Sequence, residues 1–434
     1  MIWVHLLIVL AAIFLGARYG SIAIGAAGGL GVILLGATGA PVSREDIPFD
    51  VIGIIMSVIA AIAAMQAAGG MDWLVALTDR LLRKNPKRIT LLAPIVTYLL
   101  TLFAGTGHTA FAALPVITEV AKENDIRPSR PLSIAVVASQ MAITASPISA
   151  AVVFMASVVE PLGVGYLTLL AIAIPSTFLA TVATSFLANM LGKPLSSDPV
   201  YLERKEQGLI ELRGAHEYEE RPGAKRSVLI FLIAIIAVVT YAALISENLH
   251  IISDPTLPRT EAIMSIMLAA AMAITILCRI DPSEILGMQT FRSGMSACVC
   301  VLGVAWLGTT FVSTHMEAIT ALAGSALTAY PWLLAVVLFF AAALLYSQAA
   351  TTKALMPTAI ALGASPIAAI AAFPAVSALF VLPTYPTLLA AVEMDDTGST
   401  RVGRAIFNHP FMIPGIVNIA SAVGLGFLFG SLML

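Results

Sequence analysis

Long apolar stretches separated by short polar segments follow one another along nearly the whole chain. A helix needs roughly 20 apolar residues to cross the hydrocarbon core of a bilayer, so such stretches predict membrane-spanning helices. Ten stretches suit this role: 2–17, 20–38, 51–69, 133–156, 164–191, 228–246, 261–278, 294–313, 372–392 and 406–432. The pattern therefore predicts an all-α polytopic membrane protein with about ten transmembrane helices.

Two further apolar stretches, 89–105 and 331–346, end at polar breaks. The break at 105–109 reads Gly-Thr-Gly-His-Thr, and the break at 347–353 reads Ser-Gln-Ala-Ala-Thr-Thr-Lys. A short amphipathic stretch with a proline follows each break. We predict two re-entrant hairpins, near 89–122 and 331–362, that each enter and leave the membrane on one side. The alternative for each is a full span followed by an interfacial helix.

The distribution of basic residues favours the hairpins. If neither hairpin crosses, one side of the membrane carries every Lys and Arg of the 23 except Arg44, Arg259 and Lys353. That side consists of residue 18 and the segments 70–88, 122–132, 192–226, 279–292 and 393–404. Cytoplasmic loops are enriched in Lys and Arg, so this side is predicted to be cytoplasmic. Both chain termini are then predicted to lie on the opposite side, outside the cytoplasm.

The two halves of the sequence resemble each other in segment order. Residues 49–115 align with 291–357, and the proline-containing segment 143–153 resembles 382–392. Five crossings on each side of a polar linker would insert the second half upside down. We therefore predict a first inverted repeat over 1–191, a cytoplasmic linker over 192–226 and a second inverted repeat over 227–434. Inverted repeats with broken helices are typical of secondary transporters.

The composition restricts the function further. Hydrophobic residues make up 59% of the chain and charged residues only 11%, too few to cover a soluble protein of this length. The net charge of −2 indicates no nucleic-acid partner. The sequence contains no metalloprotease, serine-hydrolase or nucleotide-binding motif, and its three cysteines lack metal-ligand spacing. We expect neither an enzyme nor a bound metal or cofactor.

Four polar breaks supply the candidate substrate site. Gly and Pro interrupt helices, and the helix N-termini that follow them favour anions. The predicted substrate-binding residues are Thr106, Gly107, His108, Thr109, Ser146, Pro147, Ser149, Gln348, Thr351, Thr352, Lys353, Thr384, Pro386 and Thr387. The alternative for any of the hydroxyls is a hydrogen bond to the preceding helical turn.

The charges near these breaks predict the kind of substrate. No Asp or Glu lies in the middle of any predicted span, whereas Lys353 and His108 lie at the hairpin tips. A buried ammonium group is costly unless an anion pairs with it. We therefore expect Lys353 to neutralise a carboxylate of the substrate, and two opposed tips suit a compact dicarboxylate. The alternatives are that Lys353 extends to the membrane surface and that His108 only packs.

Several of these segments resemble a known family. The segments 102–111 (LFAGTGHTAF), 138–151 (ASQMAITASPISAA), 346–353 (YSQAATTK) and 382–386 (LPTYP) are similar to the Dcu family of anaerobic C4-dicarboxylate antiporters. The resemblance implies exchange of fumarate, malate or aspartate for succinate across the bacterial inner membrane, with both predicted termini in the periplasm. It also implies a homodimer in which hairpins and broken helices slide against a scaffold. Two other functions remain open: a gluconate or citrate permease, and a membrane co-sensor that signals to a regulatory partner through 192–226.

Overall fold

The computed structural model describes residues 1–19, 22–210, 221–245, 251–252, 254–318, 329–382, 385–403 and 407–434. Within these ranges the regular secondary structure is helical, without a β-strand. The α-helices are α1 (Ile2–Tyr19), α2 (Ala23–Ala37), α3 (Phe49–Ala67), α4 (Gly70–Lys84), α5 (Ile89–Ala104), α6 (Leu114–Glu123), α7 (Ser129–Ile143), α8 (Ala150–Val159), α9 (Tyr166–Met190), α10 (Pro199–Glu206), α11 (Ala224–Leu244), α12 (Arg259–Cys278), α13 (Pro282–Gly287), α14 (Gln289–Thr314), α15 (Leu333–Leu345), α16 (Gln348–Ala361), α17 (Pro366–Ala372), α18 (Pro386–Met394) and α19 (Met412–Met433).

Seven helical segments of the described chain are long and apolar enough to cross a membrane. They are Arg44–Ala67, Pro86–Ala104, Tyr166–Ser197, Ala224–Leu244, Arg259–Cys278, Gln289–Thr314 and Met412–Met433. Shorter apolar helices add Ile2–Gly16, Ala23–Ala37, Ala150–Leu162, Leu333–Leu345 and Pro366–Phe380. The predicted all-α membrane fold is confirmed, whereas the number of crossings stays a prediction.

Two of the predicted spans are not single helices. The stretch 133–156 forms α7 and α8, which are separated at residues 144–149. The stretch 372–392 forms the end of α17, a 3₁₀ segment over Phe373–Phe380, and then α18. Both interruptions fall where Pro, Ser and Thr occur in an apolar run, because these residues weaken the regular helical hydrogen-bond pattern.

The helices pack as two groups. In the continuous-helix group (α1–α3, α11, α12 and α14), the main contacts are α2 with α14, α1 with α2 and α3 with α12. In the interrupted-helix group (α5–α9 and α15–α19), α5 packs on α7, α9 on α19 and α16 on α8. This second group contains both predicted hairpins and both broken helices, together with the unbroken α9 and α19.

Loops that were predicted to be cytoplasmic contact one another. Arg83 pairs with Glu123, so the chain before α5 meets the chain after α6. Lys122 Nζ lies 3.0 Å from Asp396 Oδ2, and Arg127 pairs with Asp198. The length and hydropathy of Pro86–Ala104 alone would also suit a full span. The Arg83–Glu123 ion pair favours the hairpin, because both ends of the segment lie together.

Segments predicted to be periplasmic also contact one another. Asp46 Oδ2 accepts a hydrogen bond from Thr310 Oγ1 at 3.0 Å, and Arg259 pairs with Glu160. These contacts join the loop after α2 to α14, and the end of α8 to the start of α12. A chain with ten crossings and two hairpins would bring these segments to the same side of the membrane. The inverted repeat and the repeat boundaries at 191 and 227 stay predictions.

Candidate functional site

The first hairpin turns at a glycine that the geometry requires. Gly105 ends α5 with φ of +68°, a left-handed conformation that side chains disfavour. A Cβ at this position would lie 2.9 Å from Ile148 Cγ1 and 3.2 Å from the Ile148 backbone. The tip of the hairpin therefore packs directly on the break between α7 and α8. Thr109 is buried in this tip, and its Oγ1 donates to Thr106 O at 3.1 Å.

The break between α7 and α8 contains three predicted site residues with different roles. Ser149 caps α8: its Oγ accepts from Val152 N at 3.2 Å and donates to Ile143 O at 2.6 Å. Pro147 O accepts a hydrogen bond from the Tyr166 hydroxyl. The buried Ser146 Oγ has no hydrogen-bond partner among the described residues. Ser149 and Pro147 are therefore structural, and Ser146 has hydrogen-bonding capacity left.

The second hairpin turns at Tyr346, which ends α15 in the left-handed region with φ of 54°. Ser347 then caps α16, and its Oγ accepts from Ala350 N at 3.2 Å. Thr351 Oγ1 donates to Ser347 O at 2.8 Å, and Thr352 Oγ1 donates to Gln348 O at 2.7 Å. The Thr351 and Thr352 hydroxyls thus bond the preceding turn, as the structural alternative predicted.

The second break precedes α18. Pro386 is the first residue of α18, and Thr387 follows it fully buried, with no hydrogen-bond partner for its Oγ1 among the described residues. The predicted Thr384 lies outside the described residues. The side chain of the predicted His108, at the first hairpin tip, also lies outside them.

A cavity of about 500 Å³ joins these four features. Its volume is within the usual range for small-molecule sites. The interrupted-helix group and the tips contribute Gly105, Thr106, Gly107, Phe111, Ile143, Ala150, Ala151, Tyr346, Ser347, Gln348, Ala349, Tyr385, Pro386, Leu389, Ala390 and Glu393. The continuous-helix group contributes Ile24, Ile55, Arg292, Ser296, Cys300 and Val301. The cavity therefore lies between the two helix groups.

Part of the predicted set lines this cavity. The lining residues that sequence reasoning selected are Thr106, Gly107, Gln348 and Pro386. The selected residues that do not line it are Thr109, Ser146, Pro147, Ser149, Thr351, Thr352, Lys353 and Thr387. The position of the breaks was thus a better guide than the individual hydroxyls, because many hydroxyls are directed at backbone carbonyls.

Among the described residues, the cationic side chain that lines the cavity is Arg292 rather than the predicted Lys353. Lys353 is half-buried, and its Nζ lies 3.5 Å from Ile47 O, in the loop before α3. Arg292 lies in the first turn of α14 and forms no ion pair with the described residues. The sequence predicts Arg292 in a cytoplasmic loop, because the apolar run starts at 294. The helix begins at Gln289, which brings Arg292 to the cavity wall.

Three helices begin at the cavity. The first residues of α8 and α16 line it, and so do Tyr385 and Pro386 at the start of α18. Helix N-termini present unsatisfied N–H groups and partial positive charge. With the Arg292 guanidinium, they give the cavity a positive character, which the carboxylate of Glu393 at its edge reduces. The arrangement suits an anion with two negative groups.

Comparison with known proteins agrees with this geometry. The family model described as anaerobic C4-dicarboxylate membrane transporter matches residues 1–434. The chain belongs to this family of C4-dicarboxylate transporters. Because the family consists of transporters, the prediction that the chain is not an enzyme is confirmed, as is the resemblance seen in the sequence.

Individual relatives cover the whole chain. The C4-dicarboxylate transporter DcuA of Wolinella succinogenes is 61% identical over 430 residues, or 99% of each chain. DcuA of Escherichia coli K12 is 59% identical over 435 residues, or 100% of each chain. The anaerobic C4-dicarboxylate transporter DcuB of Escherichia coli O6:H1 is 35% identical and covers 99% of this chain and 98% of its own.

A solved structure shares the fold. The YdaH transporter of Alcanivorax borkumensis, described as having an unusual topology, superposes with a TM-score of 0.52. The match covers 89% of this chain and 86% of that one, at 15% sequence identity. At this identity the similarity concerns the fold alone.

Proposed function

We propose that this member of the family exchanges C4-dicarboxylates across the bacterial inner membrane. Fumarate, malate or aspartate would enter as succinate leaves. The observation that carries the proposal is the cavity between the two helix groups, which combines both hairpin tips, both helix breaks and one arginine. A binding site assembled from both halves of the fold is what alternating access needs.

The two ends of the substrate would be recognised differently. One carboxylate would bind the Arg292 guanidinium, whose planar donors match a carboxylate in two parallel hydrogen bonds. The other would bind the N-terminal amides of α8 and α16, assisted by the Thr106 hydroxyl and the Gln348 amide at the hairpin tips. A monocarboxylate satisfies only one of these two sites. Selectivity for dicarboxylates follows from the separation of the two carboxylate-binding sites.

The charged residues at the cavity also indicate its orientation. Arg292 and Glu393 belong to segments that the distribution of basic residues assigns to the cytoplasm. The cavity would accordingly be open to the cytoplasm in this conformation. To expose it to the periplasm, the interrupted-helix group would slide against the continuous-helix group, as in an elevator mechanism.

Exchange, rather than one-way transport, follows from the charge of the empty site. Without a substrate, the positive charge of the helix N-termini in the interrupted-helix group is only partly compensated, by Glu393. Moving them across the apolar interface would be slow until a dianion neutralises them. No carboxylate in the middle of a predicted span offers a proton relay. The carrier would therefore return mainly with a substrate bound, and rarely empty.

Counterflow into proteoliposomes tests this function. Vesicles loaded with unlabelled succinate should take up labelled succinate, and external fumarate, malate or aspartate should compete. Gluconate and citrate should not compete. Rapid efflux into dicarboxylate-free buffer, without acceleration by external dicarboxylate, would rule out obligate exchange. Competition by gluconate alone would favour the alternative permease.

A cross-link across the cavity tests the sliding motion. Ile55 of α3 and Leu389 of α18 line the cavity from different helix groups. A reversible cross-link between Ile55→Cys and Leu389→Cys, in a chain without its native cysteines, should stop exchange. Reduction of the same sample restores it and serves as the control. Full exchange in completely cross-linked protein would contradict relative movement of the two groups.

A further inference from the structure

A second cavity, of about 340 Å³, lies at the end of the molecule that carries the predicted cytoplasmic loops. The start of α7, the end of α9 and the segment before α19 surround it. The lining residues that carry its chemistry are Arg127, Arg130, Arg401, Asn408, His409 and Ile413. The substrate cavity shares none of these residues.

The arginines of this cavity are only partly neutralised. Arg127 pairs with Asp198 and also donates to Ser129 Oγ at 2.9 Å. Arg130 donates only to backbone carbonyls, to Leu191 O at 2.8 Å and Gly192 O at 2.9 Å. Arg401 has Gly398 O at 3.5 Å, and neither Arg130 nor Arg401 has a carboxylate partner among the described residues. The cavity therefore has an excess of positive charge.

A buried histidine adds a second, independent indication of a ligand. His409 is only 7% exposed, and its Nε2 lies 3.5 Å from Val381 O. Donation to that carbonyl puts the proton on Nε2 and leaves Nδ1 as an acceptor. Nδ1 has no hydrogen-bond partner in the described chain. A buried polar atom without a partner is unfavourable, so a hydroxyl donor in the cavity would be stabilising.

The surroundings indicate where the ligand comes from. Ile413 lines the cavity and is 54% exposed, and Met190 at the end of α9 is 78% exposed. Exposed apolar side chains at the ends of membrane helices face acyl chains rather than water. Basic pockets between transmembrane helices on the cytoplasmic side are known to hold anionic lipid headgroups. A soluble anion would gain nothing from this apolar rim.

We propose that this cavity binds an anionic phospholipid of the cytoplasmic leaflet whose headgroup carries a hydroxyl, such as phosphatidylglycerol. The phosphate lies against Arg130 and Arg401, the headgroup hydroxyl donates to His409 Nδ1, and an acyl chain follows Ile413. Because α7, α9 and α19 all belong to the interrupted-helix group, the lipid would stay with that group.

Lipid retention measured by native mass spectrometry tests the site directly. Purified protein equilibrated with equal amounts of phosphatidylglycerol and phosphatidylethanolamine should retain phosphatidylglycerol at least fivefold better. Arg401→Gln, which removes an exposed side chain, should reduce this preference at least threefold. Arg130→Lys should reduce it while its charge is kept, because lysine cannot reproduce the planar contacts. Arg88→Gln, an exposed arginine outside the cavity, is the matched control.

Two further arms separate the possible sources of the phosphate and the part played by the hydroxyl. Inorganic phosphate at millimolar concentration should not displace the lipid. Displacement would instead assign the cavity to a soluble phosphate and overturn the proposal. His409→Leu should reduce retention of phosphatidylglycerol but not of phosphatidic acid, which lacks the headgroup hydroxyl. Equal retention by Arg401→Gln, Arg130→Lys and Arg88→Gln would also overturn the proposal.

Discussion

The two helix groups solve the problem of packing in a membrane in opposite ways. In the continuous-helix group, α2 and α14 approach so closely that a Cβ at Gly303 would overlap the carbonyl oxygen of Gly25. Small residues that allow such close approach are how membrane helices associate strongly. In the interrupted-helix group, polar atoms of Gln140, Ser146 and Thr387 are buried without partners in the described chain. Among the described residues, the interrupted-helix group contains most of these unsatisfied atoms, whereas the continuous-helix group contains two, Arg259 Nε and Trp306 Nε1.

The difference explains where the substrate cavity lies. Unsatisfied buried groups are expensive, so a fold keeps them mainly where a ligand or an alternative conformation can satisfy them. Gln140, Ser146 and Thr387 do not line the cavity themselves, but they belong to the two broken helices, and the helices that follow both breaks begin at it. The continuous-helix group provides a wall that does not need to rearrange. A carrier requires both the broken helices and the continuous wall, because a moving site needs a fixed surface against which to open and close.

The largest expected effect comes from disturbing the tight packing. Gly303→Leu should prevent accumulation of folded protein, because backbone rather than a flexible side chain occupies the required space. Gly29→Ala is the matched control on α2, since its Cβ would meet no atom within 4 Å. Fluorescence-detected size-exclusion chromatography distinguishes the two. A normal monodisperse peak for Gly303→Leu would show that the α2–α14 contact is looser than described.

The next effect concerns the first hairpin tip. Gly105→Ala introduces a methyl group at a positive φ and at 2.9 Å from Ile148 Cγ1, so exchange should fall at least tenfold. Gly163→Ala is the control, with φ of +85° and no atom within 4 Å of its Cβ. Both variants should lose about 1 kcal/mol from backbone strain. Equal exchange rates in the two would show that the tip tolerates displacement.

A smaller effect on stability distinguishes the capping hydroxyl of Ser149 from the unsatisfied hydroxyl of Ser146 in the same break. Ser149→Ala should lower stability by about 1 kcal/mol, because the cap of α8 is lost. Ser146→Ala removes a hydroxyl without a described partner and should leave the melting temperature unchanged or slightly raised. Thermal unfolding in detergent measures both. A lower melting temperature for Ser146→Ala than for Ser149→Ala would reverse these roles.

The smallest effect is a pH dependence at the predicted periplasmic end. Burial, the neighbouring His5 and the N-terminal ammonium group lower the pKa of His315. His5 Nδ1 lies 2.8 Å from His315 Nε2. An unfolded histidine has a pKa of about 6.5. Neutral His315 therefore contributes its full stabilisation above pH 6.5. This contribution is lost as the pH falls from 6.5 through the lowered pKa of the folded state, because the unfolded chain binds the proton more readily. The melting temperature should drop less between pH 7.5 and 5.5 in His315→Asn than in the parent; an identical drop would contradict the assignment.

The sequence predicts the positions of the helix breaks better than the directions of the side chains around them. The breaks at 105–109 and 144–149 were predictable, because Gly, Pro and hydroxyl residues interrupt otherwise apolar runs. The direction of a side chain was not predictable. Lys353 lies on a predicted tip yet approaches the Ile47 carbonyl, whereas Arg292 lies at a predicted span end and faces the cavity. The position of a charged residue within an apolar run predicts only its depth in the membrane. The rotation of the helix about its axis decides which cavity the side chain lines.

Other features depend on contacts between distant segments. The buried Asp395 carboxylate accepts from Ser399 Oγ at 2.8 Å and Thr400 N at 2.6 Å, which fixes the loop after α18. Ser399 Oγ in turn accepts from Ser129 N at 3.1 Å, at the start of α7. The sequence of this loop has no apolar periodicity that would predict its structure, and the residue that it contacts at the start of α7 is distant in the sequence. The composition of this segment alone would suggest only a polar turn.

In the proposed mechanism, Arg292 at the boundary of the two groups provides the positive charge for the substrate. Succinate exchange in loaded proteoliposomes tests it with Arg292→Gln, Lys353→Gln and the control Arg44→Gln, an exposed arginine that does not line the cavity. A lost charge-assisted contact of roughly 3 kcal/mol corresponds to about a 100-fold loss of transport efficiency. Arg292→Gln should show this loss, whereas Lys353→Gln and Arg44→Gln should each reduce exchange by less than about threefold. Loss of exchange in Lys353→Gln with normal exchange in Arg292→Gln would contradict this mechanism.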